Sequence, residues 1–260
     1  MVKRMNSEPA DIIQVRNLTL RYSDGKESLK DINLSIKANA INVLFGPANG
    51  GKSTLLRTLN RLNDLTDVSV MQGEVLFNGK NLLDPDIDVI ELRRTIGIVF
   101  SRPVVLPMTI YENISYGLAL AGIRSKVQQK ERVKEALQQA VLWDEVYDRL
   151  DTPAAELSGG QKQRLCLARS LALKPEVIML DEPTSALDPV STANIEDLLQ
   201  RIKEELTIIL VPHNTQQAAR MADYAAFFLQ GELVEWGTGE QIFTRPKEKK
   251  TQDYVEGRFG

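Results

Sequence analysis

Between residues 10 and 45 apolar and polar side chains alternate, as in Ile12-Ile13-Gln14-Val15, Leu18-Thr19-Leu20-Arg21-Tyr22 and Ile32-Asn33-Leu34-Ser35-Ile36. A period of two is the signature of strands with one buried face, and Asp24-Gly25 is a turn signal between two of the runs. The pattern predicts an antiparallel β-layer over residues 10–45. Its last run, Ile41-Asn42-Val43-Leu44-Phe45, is nearly all apolar and leads into FGPANGGKSTLL, where Leu55, Leu56 and Leu59 return at helical spacing. That stretch reads as strand, glycine-rich turn and a helix over residues 53–63. Residues 73–80 form a further strand closed by Asn78-Gly79, and residues 95–100 a short buried one.

The character changes after Phe100. Pro103 and Pro107 interrupt the chain, and the pattern is then helical and charge-rich, which predicts a helical insertion over about residues 102–160. Apolar strands return at 177–180, 207–211 and 225–229, with a helix over 190–206 and a charged, exposed tail at 245–250. Short apolar strands alternating with helices predict an α/β fold with a mostly parallel sheet covered on both faces. The chain is expected to be a single domain over residues 1–260. Residues 10–100 and 161–260 supply the β-layer and the core, and 102–160 the helical part.

Composition narrows the classes. Lys plus Arg number 32 against 35 Asp plus Glu, a formal net charge of −3, so no basic excess points to nucleic acid. A local basic patch stays open. The single cysteine, Cys166, excludes an internal disulfide and fits a reducing compartment. The basic N-terminal residues lack a following apolar region, so no signal peptide is expected. No run approaches the roughly 18 apolar residues of a membrane span. The chain is not expected to cross a bilayer, although it could dock onto a protein that does.

The chemistry begins at Gly46-Pro47-Ala48-Asn49-Gly50-Gly51-Lys52-Ser53, which matches G-x-x-x-x-G-K-S/T between a strand and a helix. Glycines let backbone N–H groups face a polyphosphate, and the helix N-terminus, with Thr54, adds its dipole. Lys52 is expected to contact the β- and γ-phosphates and Ser53 to offer its hydroxyl to Mg²⁺. The strand at 177–180 ends in Asp181-Glu182, at the sheet edge where ligands of open α/β sheets bind. Asp181 is expected to hold Mg²⁺, directly or through water, and Glu182 to orient or deprotonate the attacking water. The alternative is a pair of surface acids before Pro183. The only histidine, His213, follows the strand at 207–211 and is placed to sense a γ-phosphate, or is structural. Ser158, Gly159 and Gly160 stand before a helix expected to begin near Gln161. They form either a second anion-binding helix start or a plain cap. Two phosphate sites for one nucleotide suggest a head-to-tail pair of chains.

LSGGQKQR at 157–164, followed by LDEPTSALD at 180–188, resembles the ATP-binding cassette family, over nearly the whole chain. LLRTLNRLND (55–64), PMTIYENI (107–114), HNTQQAAR (213–220) and the ending YVEGRFG (254–260) are similar to the ATPase subunits of bacterial phosphate importers. The resemblance implies a P-loop NTPase (RecA-like) core with an N-terminal antiparallel β-layer and a helical insertion subdomain. It implies ATP and Mg²⁺, catalytic roles for Glu182, His213 and Lys52, and a dimer sandwiching two ATP molecules. Ser158, Gly159, Gly160 and Gln161 of one copy would close on the nucleotide at the other's loop, with Asp188 at the seam. Tyr22 falls where the family stacks a ring on adenine, or is an ordinary strand tyrosine. The implied partners are transmembrane permease subunits, with a solute-binding protein in the complex. The implied place is the cytoplasmic face of the cell (inner) membrane, as a peripheral subunit.

The chain departs from the family at Ser101, where a glutamine usually reaches Mg²⁺ and the attacking water. Serine is shorter and reaches the metal only through a water or a closer backbone. Either Ser101 slows turnover, leaving a slow ATP-dependent switch, or Glu182 and His213 carry the reaction and serine is tolerated. Another cassette solute is a further alternative for the transport function. Pro212 also departs. It lacks an N–H and fixes φ, which bears on how His213 is presented.

Overall fold

The computed structural model describes residues 9–185 and 187–258. The N-terminal segment on which the signal-peptide reading rests lies largely outside them. So do Ala186, within the LDEPTSALD run, and the last two residues of the chain's ending.

Two sheets are stacked. The first contains β1 (Asp11–Tyr22), β2 (Glu27–Lys37), β4 (Val68–Phe77) and β5 (Lys80–Asn81), antiparallel in the order β2-β1-β4-β5. The second contains β3 (Ile41–Phe45), β6 (Ile96–Val99), β7 (Val177–Asp181), β8 (Thr207–Val211), β9 (Tyr224–Leu229) and β10 (Glu232–Thr238), in the order β10-β9-β3-β8-β7-β6. All its pairings are parallel except β9 with β10. The described helices are α1 (Lys52–Leu59), α2 (Val89–Thr95), α3 (Ile110–Leu120), α4 (Lys126–Gln139), α5 (Trp143–Val146), α6 (Gly159–Leu171), α7 (Pro189–Ile202), α8 (Thr215–Met221), α9 (Gly239–Thr244) and α10 (Lys249–Val255).

The central strands read as continuous apolar runs because each face meets a different core. Leu44, Val177, Met179, Ile209, Val211, Ala226 and Phe228 point toward the first sheet and α1. The residues between them, including Val43, Phe45, Ile178, Leu180, Ile208, Leu210 and Phe227, pack on the opposite face with α6, α7 and α8. A third cluster holds α3 and α4 together around Ile114, Leu118, Val133 and Leu137. Helix α6 serves two of these cores. Leu165 and Ala168, with Ala172 just past its end, face the α3–α4 cluster, whereas Cys166, Leu167 and Leu171 face the sheet.

Several boundaries differ from the sequence pattern. The run at 41–45 is not part of the antiparallel layer but a central parallel strand, buried along its whole length. Helix α1 stops at Leu59, and Asn60 leaves the helix before a 3₁₀ turn at Leu62–Leu65. The strand expected from residue 73 begins at Val68, because β1 extends far enough to pair with it there. Helix α7 ends at Ile202 rather than at 206, and Leu206 instead enters the core beside β8. Helix α6 begins at Gly159, before Gln161, since Ser158 caps it. The 245–250 segment is mostly exposed, but the buried Glu235 carboxylate on β10 accepts the Lys247 and Glu248 N–H groups at 2.8 and 3.1 Å.

Candidate active site

The glycine-rich loop leaves β3 and wraps the start of α1. Its geometry admits no side chain at two glycines. At Gly46, with φ of +135°, a Cβ would overlap the Phe228 carbonyl oxygen at the end of β9. At Gly51, with φ of +102°, it would lie 2.5 Å from the Ser28 carbonyl oxygen of β2. These glycines therefore let the loop press against two strands as well as expose its amides. Gly51 caps α1 without any side-chain acceptor, and no acid lies in the first turn, so the helix's first N–H groups are available to an anion.

Lys52 folds back along the loop, where its Nζ donates to the Gly46 and Pro47 carbonyls, each at 2.8 Å. Burial pulls its ammonium below the ordinary lysine value, against the opposing pull of the Glu182 and Asp181 carboxylates. Thr54 is held through its hydroxyl by Ser28 at 2.8 Å and Tyr22 at 3.3 Å, the Tyr22 hydroxyl also donating to Asn63 at 3.4 Å. Tyr22 is thus tethered beside the first turn of α1, half-buried.

Glu182 follows β7 in the left-handed region, at φ of +49°. For a glutamate that conformation is costly and persists only when its surroundings impose it. Its N–H donates to the Val211 carbonyl at 2.9 Å, and its carbonyl accepts from Ser185 at 3.2 Å. One cavity, of about 350 Å³, is lined by Gly46, Pro47, Ala48, Lys52, Glu182 and His213, with Tyr254 at its wall. A second, of about 260 Å³, is lined by Ala48, Asn49, Gly50, Gly51, Lys52, Ser53, Thr54 and Glu182. The two meet at Ala48, Lys52 and Glu182 and form one polar trough around the loop.

The trough gathers residues far apart in the chain because β3, β8 and β7 are neighbours and all release their loops at the same sheet edge. Ser101 follows β6, paired alongside β7, and lies at that edge without lining either cavity. Ser158, Gly159, Gly160, Gln161 and Asp188 line neither cavity as well. Ser158 and Gln161 cap α6 reciprocally, and Gly160 packs against Ser191, where a Cβ would approach its Oγ to 3.0 Å. Asp188 caps α7, accepting from Val190 and Ser191 N–H groups and the Ser191 hydroxyl, and these bonds hold its carboxyl below the usual range. The loop's cradle, the uncapped α1 start and the Ser53 hydroxyl beside Lys52 suit a nucleotide polyphosphate and its divalent ion.

The pattern that defines the ABC transporter family matches residues 29–185. The chain belongs to the ABC transporter family. The phosphate import ATP-binding protein PstB 2 of Bacillus subtilis is 51% identical over 249 residues, covering 96% of this chain and 92% of that protein. The PstB of Spiroplasma kunkelii is 48% identical over 96% of this chain and 93% of its own length. Among solved structures, cbiO1 from Clostridium perfringens, part of the ABC transporter complex cbiONQ, superposes with a TM-score of 0.78 at 30% identity, covering 92% of each chain.

In this ABC family member, one side chain of the trough and one behind it were quoted in the sequence only inside longer runs. Tyr254 comes from α10 to line the same cavity as His213. Gln217 is buried behind His213 and accepts its N–H at 2.9 Å. Their positions relative to the phosphate loop follow from strand order, which local pattern does not report.

Proposed function

We propose that this chain is the ATP-hydrolysing subunit of an importer that couples ATP binding and hydrolysis to uptake of inorganic phosphate across the cytoplasmic membrane. The observation that carries the ATPase reading is the convergence of Lys52, Ser53, Glu182 and His213 on one trough around the phosphate loop. The likeness to phosphate import ATP-binding proteins along almost the whole chain supports the solute.

In this reading the loop amides and Lys52 hold the phosphates. Glu182 orients the attacking water and takes its proton as the terminal phosphoryl group is transferred. His213 contacts that group from the β8 side. Ser53 and Asp181 would hold Mg²⁺, with Ser101 near the same edge, and the ion would neutralise phosphate charge. Tyr22 supports the adenine. Ser158, Gly159, Gly160 and Gln161 belong to the face offered to a second copy, with Asp188 at the seam. No helix among the described residues is long and apolar enough to cross a membrane, and in this reading separate permease subunits form the path. The subunit sits on the cytoplasmic face of the membrane, and a solute-binding protein completes the complex.

The apolar, turn-rich residues at 103–108 read from the sequence either as a groove for the permease, with Val105 as its probe, or as a segment packed under the helical insertion. Val105 packs between the sheet core and the α3–α4 cluster, so an acid there would damage the fold. Val104 is 62% exposed, and Phe100 before it and Tyr116 and Leu120 on α3 are further exposed apolar side chains. Val104→Asp is expected to leave soluble ATP hydrolysis within about twofold of native, because surface changes rarely disturb a fold. Co-purification with the permease should be lost, and its retention would move the dock elsewhere.

Mg²⁺-dependent hydrolysis by the purified protein tests the reading directly. Ser101→Gln is expected to change turnover by less than about threefold, since the proton acceptor and phosphate contacts lie on Glu182 and Lys52. A nearly silent native protein revived by this substitution would instead make Ser101 a brake and the chain a slow ATP switch. Phosphate uptake by vesicles carrying the permease, lost with Lys52→Ala, checks the solute.

A further inference from the structure

We infer that Gln217 is a positioning residue for ATP hydrolysis, whose buried amide sets the Glu182 loop and His213 relative to each other. The inference rests on the roles proposed above for those two residues.

Strands β7 and β8 are hydrogen-bonded neighbours, with Asp181 opposite Val211. The Glu182 N–H extends that ladder by one bond, to the Val211 carbonyl. In a parallel pair the next bond would run from the His213 N–H to the Glu182 carbonyl, but that carbonyl accepts from Ser185 instead. The His213 N–H is left without that partner, and Gln217 Oε1 accepts it at 2.9 Å. Nε2 of the same side chain donates to Thr184 Oγ1 at 3.0 Å, in the turn that follows Glu182, and to Glu196 Oε1 at 2.9 Å on α7. One amide thus takes up the donor with which the ladder would have continued.

The arrangement exceeds what helix α8 needs for its own start. Asn214 already caps α8 by accepting the Gln217 N–H at 2.8 Å. The Gln217 side chain leaves its own helix to join the loops after β7 and β8 to α7. It is 3% exposed, and both of its amide atoms are engaged, so a shift at one partner must be felt at the others. Glu196 is itself gripped by Arg220 at 2.9 Å and sits on the helix that Asp188 caps. Movement of the Asp188 end of α7 therefore reaches His213 through Glu196 and Gln217. The device also holds taut the turn on which left-handed Glu182 depends.

The test exchanges polarity within the network. Gln217→Glu keeps an acceptor for the His213 N–H but sets a carboxylate against Glu196. It is expected to lower kcat by about tenfold or more while KM for ATP stays within about threefold, the pattern of misplaced reacting groups with intact binding. Adding Glu196→Gln restores one donor and one acceptor. The double variant should return to within about threefold of Glu196→Gln alone. Native kcat in Gln217→Glu, or a loss that the second change does not repair, overturns the inference. If Gln217→Glu does not fold, Thr184→Val decides: it deletes one partner of the amide, and a fall in kcat without a rise in KM is expected, whereas native kcat overturns the inference. His213→Ala, run in parallel, separates the two levels. Full turnover there removes the role of His213, whereas loss there with native Gln217→Glu kinetics removes only the positioning role.

Discussion

Glu182→Gln is expected to abolish ATP turnover, by at least about a hundredfold, and to leave ATP binding intact. The substitution is nearly isosteric. The backbone bond from residue 182 to Val211 does not involve the side chain, and the left-handed turn is held by that bond and by Ser185. Lys52 keeps its two loop carbonyls and its attraction to Asp181. What is removed is the carboxylate proposed to take a proton from water, at the point where the two cavities of the trough meet. With hydrolysis stopped, the ATP-closed pair of chains should accumulate with Mg²⁺ present and be visible by size-exclusion chromatography. Turnover within about tenfold of native would place the proton acceptor on another residue.

Gly46→Ala should be as damaging to activity, for a different reason. The new methyl group would overlap the Phe228 carbonyl oxygen, which belongs to the backbone of a buried strand and cannot swing away. Overpacking and the left-handed backbone together are expected to cost roughly 3 kcal/mol or more, and the loop would lose its fit to phosphate. Nucleotide binding, followed by fluorescence of a labelled ATP, should disappear, and Tm should fall by about 6 °C or more in a chain of this size. Gly25→Ala is the control. Gly25 also has a positive φ, of +86°, but its Cβ would meet nothing within 4 Å. Its cost is the backbone term alone, about 1 kcal/mol, with binding unchanged. Equal effects at the two positions would mean that β9 does not confine the loop.

Much of the active trough was legible along the chain because its parts are local. A glycine-rich turn before a helix declares itself by composition, and Asp181-Glu182 and His213 each stand just past an apolar strand. The period-two pattern likewise revealed the β1–β2 hairpin. It assigned β3 to the wrong sheet, because a strand buried on both faces differs from a layer strand only in what lies across from it. At Val105 the structure favours internal packing over a permease groove, for a similar reason. An apolar residue in a proline-rich loop reads as exposed until two cores are found to pack against it.

The sequence by itself determined the chemical groups and the end of each strand at which they stand, since these depend on near neighbours in the chain. Only the tertiary structure decided that β3, β8 and β7 lie side by side, so that Lys52, His213 and Glu182 share one trough. It also decided that Gln217 bridges two of their loops, and that Gly46 is indispensable because of Phe228. Strand order and close backbone approach are set by packing between segments far apart in sequence, and no local periodicity carries that information.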